Sequence, residues 1–118
     1  MIQLLSEPTL ELERDQWTLV LWVCGWLDED YSFRDLLAQI TVSLKTKREV
    51  DMTLPPEEPA EDFVDGVLRW GSIEYQLYFE RSLGYLQFST AVESAARDLL
   101  ACLIDDLVWP NATGGSAA

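Results

Sequence analysis

Histidine is absent from the 118 residues. It is the side chain that changes charge near neutral pH and the commonest metal ligand, so its absence removes the usual general base and the usual zinc ligand. Cysteine occurs only at Cys24 and Cys102, without any metal-binding spacing. Both sit among apolar neighbours and are expected to be buried, reduced and unreactive. Basic residues are scarce: 8 lysines and arginines stand against 21 acids, for a net charge of -13. A field of that sign repels nucleic-acid phosphates and anionic membrane surfaces, and it attracts basic partners. Neither a glycine-rich phosphate loop nor a Gly-x-Ser-x-Gly elbow is found. With no nucleophile placed beside a base, the chain does not read as an enzyme, and no catalytic residue, cofactor or metal is expected. The longest apolar run, Trp17–Leu27, is too short to span a bilayer. The opening MIQLLSEP has no basic segment leading into a long apolar core, so no signal peptide is expected and the reading is a cytoplasmic protein.

What is present is enough apolar material for one core. Hydrophobic residues make up 48% of a chain of single-domain length. The organising stretch is Trp70–Ser89, WGSIEYQLYFERSLGYLQFS. Ile73, Tyr75, Leu77 and Phe79 alternate with Glu74, Gln76, Tyr78 and Glu80, the period of two of a half-buried strand. A turn at Arg81–Gly84 returns the chain, and Leu86 and Phe88 continue the inner face. The outer face then carries Glu74, Tyr78, Glu80 and Tyr85, which is acidic and aromatic.

Upstream, Met1–Leu5 reads as a short strand or an ordered arm, and Thr9–Glu13 alternates cleanly. Arg14-Asp15-Gln16 is a break of hairpin length before Trp17–Cys24, a strand apolar on both faces and so interior to a sheet. Val20 and Trp22 on its second face call for a cover, from a dimer partner, another protein or a loop. Asp28, Glu29 and Asp30 follow in an acidic loop that lacks calcium-loop spacing. Ser32 and Asp35 form a capping-box pattern ahead of a helix near Phe33–Lys45. Glu49–Leu54 reads as a strand, and the acidic, proline-bearing stretch Pro55–Asp65 as an exposed linker within the domain. Gly66–Trp70 leads into the central hairpin. Thr90 and Glu93 mark a second capping box, and the helical spacing from Val92 through Leu107 predicts a helix near Ala91–Val108. Asn111–Ala118 reads as a flexible tail on a single domain of residues 1–110. Separated strands and few helices predict an α+β domain: a mostly antiparallel sheet with two helices packed on one face, a ferredoxin-like arrangement being the alternative.

In size, charge and the tryptophan- and tyrosine-bearing sheet WGSIEYQLYFERSLGYLQF, the chain resembles the small acidic immunity proteins of bacterial polymorphic toxin and contact-dependent inhibition systems. The resemblance implies a compact α+β protein-binding inhibitor whose negative face caps a cationic toxin domain. An acidic secretion chaperone or adaptor, binding a segment of a client protein, is the alternative. Two surfaces are candidates for the partner. One is the sheet face with Trp22, Glu74, Tyr78, Glu80 and Tyr85, where aromatic anchors stand beside acids. The other is the pair of acidic loops, Asp28–Asp30 and Glu57–Asp62, which would steer encounter. The competing structural role for Tyr78 and Tyr85 is a cross-strand pair that only stabilises the hairpin.

Overall fold

The computed structural model describes residues 2–23, 32–58, 61–82 and 84–110. In chain order the elements are β1 (Ile2–Gln3), β2 (Thr9–Glu13), β3 (Gln16–Trp22), α1 (Phe33–Lys45), β4 (Val50–Thr53), β5 (Phe63–Trp70), β6 (Ile73–Glu80), β7 (Tyr85–Thr90), α2 (Glu93–Leu103), a 3-10 turn (Ile104–Asp106) and β8 (Leu107–Val108). Six strands form one antiparallel sheet in the order β2-β3-β7-β6-β5-β4, and β1 pairs in parallel with β8. This is the α+β architecture that the alternation and the capping signals predict.

Turn chemistry sets the sheet's register. Arg14 and Asp15, the two residues between β2 and β3, have φ of 51° and 65°. Positive φ at both central positions is the turn whose twist matches that of the flanking strands. Gly71, at φ +64°, opens the β5–β6 turn, and Gly84, at φ +67°, closes the β6–β7 turn with its N–H on the Glu80 carbonyl at 2.9 Å.

Both helices lie on the same face, over the inward residues of the central strands. Phe33 of α1 stacks on Phe79 of β6 with ring centroids 4.2 Å apart and planes within 4°. The two large buried polar side chains find partners on the helices. Trp70 Nε1 donates to the Leu44 carbonyl, and Tyr75 Oη donates to the Ala95 carbonyl, each at 2.9 Å. Unpaired, either group would be costly in a dry core. Leu19, Leu21, Leu36, Ile40, Leu77, Phe79, Leu99 and Leu103 are all buried, as the two periodicities predict. The Ser32–Asp35 capping box is formed at the start of α1.

Three expectations need correction. First, the second helix does not run to Val108. It ends at Leu103, tightens into the 3-10 turn, and releases Leu107–Val108 as a strand against β1. As a strand it buries Leu107 opposite Ile2, and the Val108 carbonyl accepts the Leu4 N–H at 2.7 Å. Second, the Thr90–Glu93 capping box is not made. The helix starts after Val92, without a side-chain cap bond; Thr90 Oγ1 accepts from the Val92 N–H, and Glu93 instead pairs with Arg97 one turn on. Third, Phe63–Asp65 is not linker but the first part of β5, because Val64 is buried opposite Phe79. Cys102 is a free, buried thiol whose Sγ donates to the Ser43 carbonyl at 3.8 Å, and burial raises its pKa. Cys24, the acidic residues 28–30 and the tail 111–118 lie outside the described residues.

Candidate partner-binding face

The sheet face opposite the helices takes its composition from the outward half of each strand's alternation. Register places its side chains in rows that cross the strands. One row runs Trp22 (β3), Tyr85 (β7), Glu80 (β6), Phe63 (β5). The next runs Val20, Gln87, Tyr78, Asp65. Neighbouring strands are about 4.8 Å apart, so rings on adjacent strands touch. Trp22 meets Tyr85 edge-on at 5.4 Å, Tyr85 and Tyr78 lie 6.1 Å apart, and Tyr78 and Phe63 lie 6.5 Å apart. Four aromatic residues from four consecutive strands thus form one band. Phe63 is 61% exposed, while Trp22, Tyr78 and Tyr85 are half-buried.

Glu80 sits inside that band. Tyr78 Oη donates to one of its carboxylate oxygens at 2.5 Å, and Ser82 Oγ donates to the other at 3.0 Å. The bond to Glu80 is the main reason that the Tyr78 phenol is pushed up to about 12, with partial burial and the Glu80 charge adding to it. The Tyr85 phenol is raised first by burial and then by the charges of Glu80 and Glu13. A shallow depression of about 310 Å³ lies beside the two tyrosines, lined also by Thr18, Gln87 and Ser89, with Glu13 and Arg14 from the β2–β3 turn among its walls.

Of the residues expected at a partner surface, Trp22, Tyr78, Glu80 and Tyr85 come together. Glu74 shares the face but stands at the far end of β6, where Arg69 across the pair holds it at 3.2 Å. Asp28, Glu29 and Asp30 fall outside the described residues. The 57–62 loop is only partly a steering surface. Glu61 is committed to an ion pair with Arg34 at 2.6 Å, and Arg34 Nη2 also donates to the Pro55 carbonyl. The Arg34 hydrogen bonds hold the Glu61 carboxyl below its ordinary range. Glu57, Glu58 and Asp62 remain exposed. Val20, for which a cover from a dimer partner, another protein or a loop was expected, is only 5% exposed within the chain itself, with Thr9 and Gln87 as its cross-strand partners.

Phe63 and Asp65 are additions to the candidate surface. Phe63, Asp65 and Val67 alternate with Val64, Gly66 and Leu68; extending the period of two upstream through Gly66 would have found them.

The acids on this face outnumber the bases. Glu11, Glu13, Asp65 and Glu80 stand in no ion pair among the described residues. No group of three or more metal-ligating side chains occurs among the described residues, and none of their helices is long and apolar enough to cross a membrane. Chemically, the arrangement can offer flat apolar rings, a positioned carboxylate and a negative field. No protein-family model matches the sequence, and no curated protein or solved structure matches it either.

Proposed function

We propose that this protein binds another protein through the outer sheet face and blocks it, in the manner of an immunity protein that neutralises a cationic toxin domain. The observation that carries the reading is the band Trp22–Tyr85–Tyr78–Phe63 with Glu80 held inside it. Aromatic side chains supply large contact area at low entropic cost, and they dominate interface energetics. None of the four belongs to the hydrophobic core, which closes on the opposite face. The surrounding negative charge matches a basic partner and would speed its encounter.

The test is affinity capture with the wild-type protein and with Tyr78→Ala as bait, followed by identification of the captured protein and binding kinetics with it. The reading expects a basic partner, captured by wild type and lost with Tyr78→Ala, whose association slows as salt is raised. A partner of neutral or acidic charge, or one that Tyr78→Ala retains with unchanged dissociation, overturns it.

A further inference from the structure

We infer that the outer face takes an arginine side chain of its partner, in preference to a lysine, at the Glu80 carboxylate between Tyr85 and Phe63. The inference rests on the partner-binding reading above and names the group that the site recognises.

Three observations support it. The carboxylate is positioned before any ligand arrives: Tyr78 Oη and Ser82 Oγ each donate to a different oxygen of Glu80. Each oxygen has a second lone pair, so two acceptor positions remain for a forked donor. A guanidinium presents two parallel N–H groups to such a pair, whereas an ammonium is a point charge. The walls are aromatic: Tyr85 and Phe63 are the cross-strand neighbours of Glu80, and Tyr78 lies along the strand. A planar, weakly hydrated guanidinium stacks on such rings, while a strongly hydrated ammonium resists leaving water for them. The face is also acidic: Asp65 stands opposite Tyr78, Glu13 lines the depression beside Tyr78 and Tyr85, and Glu11 lies on the same face at the β2 edge. A second copy of this chain is a poor occupant, since docking the face on itself would bring these acids together.

The experiment uses two blocked tetrapeptides of equal charge, one of arginine and one of lysine. Binding is followed by NMR at the backbone amides of Tyr78, Glu80 and Tyr85, with wild type, Glu80→Gln, Tyr78→Phe and Asp51→Asn. Both site variants are close in shape to the native residue, and their amide spectra report directly that they are folded. The expected result is that the arginine peptide binds wild type about tenfold more tightly than the lysine peptide, as forked charge-assisted bonds provide. Glu80→Gln and Tyr78→Phe should reduce that ratio to below about twofold. Asp51→Asn removes one charge at the remote end of the same face and should leave the ratio unchanged. Equal affinity for the two peptides overturns the arginine assignment while leaving a face that attracts cations. A preference that survives Glu80→Gln, or shifts confined to other amides, overturns it too. Binding of neither peptide removes both the arginine assignment and the cationic-partner reading on which it rests.

Discussion

The hydroxyl of Tyr78 donates to the carboxylate of Glu80 two residues further along the same strand, at 2.5 Å. In a flat strand these two side chains point to the same side, so the bond is local and needs no loop to support it. It ties an aromatic ring and an acid into one unit at one end of the outer face, and it makes the protonation of that unit measurable.

The Tyr78 phenol should ionise late. Its pKa is raised from 10.0 to about 12, with the bond to Glu80 as the largest cause. A raised value in the fold means that the neutral phenol is the favoured form. Its contribution to stability is therefore complete below the unfolded value near 10 and lost as pH climbs through 12. Spectrophotometric titration should show Glu80→Gln bringing the Tyr78 phenol back toward its ordinary range and lowering Tyr85 to a lesser extent, since burial is the first cause there. Tyr75, also raised to about 12 but chiefly by burial, should stay where it is and serves as the internal control. A titration curve that Glu80→Gln leaves unchanged would refute the coupling.

Two substitutions test the packing beneath this face. A Cβ at Gly66 would lie 2.7 Å from Leu54 Cδ2 and 2.8 Å from the Thr53 carbonyl oxygen. The second contact is backbone and cannot swing aside, so Gly66→Ala should lower stability by about 1–3 kcal/mol through overpacking. Leu99 is fully buried in the helix layer. Leu99→Ala should cost about 2–5 kcal/mol, out of a total of roughly 5–15 kcal/mol for a domain of this kind. Chemical denaturation reads both. A midpoint like wild type for Leu99→Ala would mean that α2 does not pack where it is placed.

The sheet was legible where alternation was clean and self-contained. Ile73–Glu80 and Trp17–Trp22 announce both their faces, and Ser32 with Asp35 announces a helix start, because each signal is local. The failures are non-local. Leu107 sits at helical spacing from Leu103, and only the requirement of Leu4 and β1 for a partner from the other end of the chain turns it into strand. Phe63 follows a run of prolines and acids, and the inward position two residues after Val64 is a glycine, so the alternation that places it is interrupted where it begins. The band itself could be foreseen only in part. Tyr78 and Tyr85 belong to one hairpin, but bringing Trp22 beside Tyr85 depends on the register of β3 against β7, which no spacing in the chain encodes.

The Arg34–Glu61 pair should act as a clasp on the 55–62 segment rather than as a steering charge. Arg34 reaches both Glu61 oxygens and the Pro55 carbonyl, and Arg81 Nε holds the Glu61 carbonyl at 3.1 Å. Arg34→Met should speed proteolytic cleavage within residues 55–62 while moving the global unfolding midpoint little. The carboxyl of Glu61 is depressed below 4.5, first by the Arg34 hydrogen bond. The clasp is therefore complete above that value and released as pH falls through the lower folded one. Limited proteolysis across an acid series checks both statements. A cleavage rate indifferent to Arg34→Met would show that the segment is held by something else.

The band and the loop acids should act on different steps of binding. Truncating a ring at an interface changes mainly the dissociation rate, because the encounter is already complete when the ring is seated. Tyr78→Ala and Phe63→Ala should thus hasten dissociation while leaving association near wild type. Each removes a neighbour of the Glu80 carboxylate, so the two effects should fall short of additive when combined. The exposed acids Glu57, Glu58 and Asp62 stand in the loop that leads into Phe63 rather than within the band, and act through the long-range field, which salt screens over about 8–10 Å. Replacing all three with their amides should lower the association rate and flatten its salt dependence, with dissociation unchanged. The measurement is surface-binding kinetics at two ionic strengths with the captured partner. If Tyr78→Ala and Phe63→Ala leave dissociation untouched in folded protein, the aromatic band is a cross-strand stabiliser of the sheet and not the seat of the contact. If the triple amide variant matches wild type at both salt concentrations, the acidity of this loop serves solubility rather than encounter.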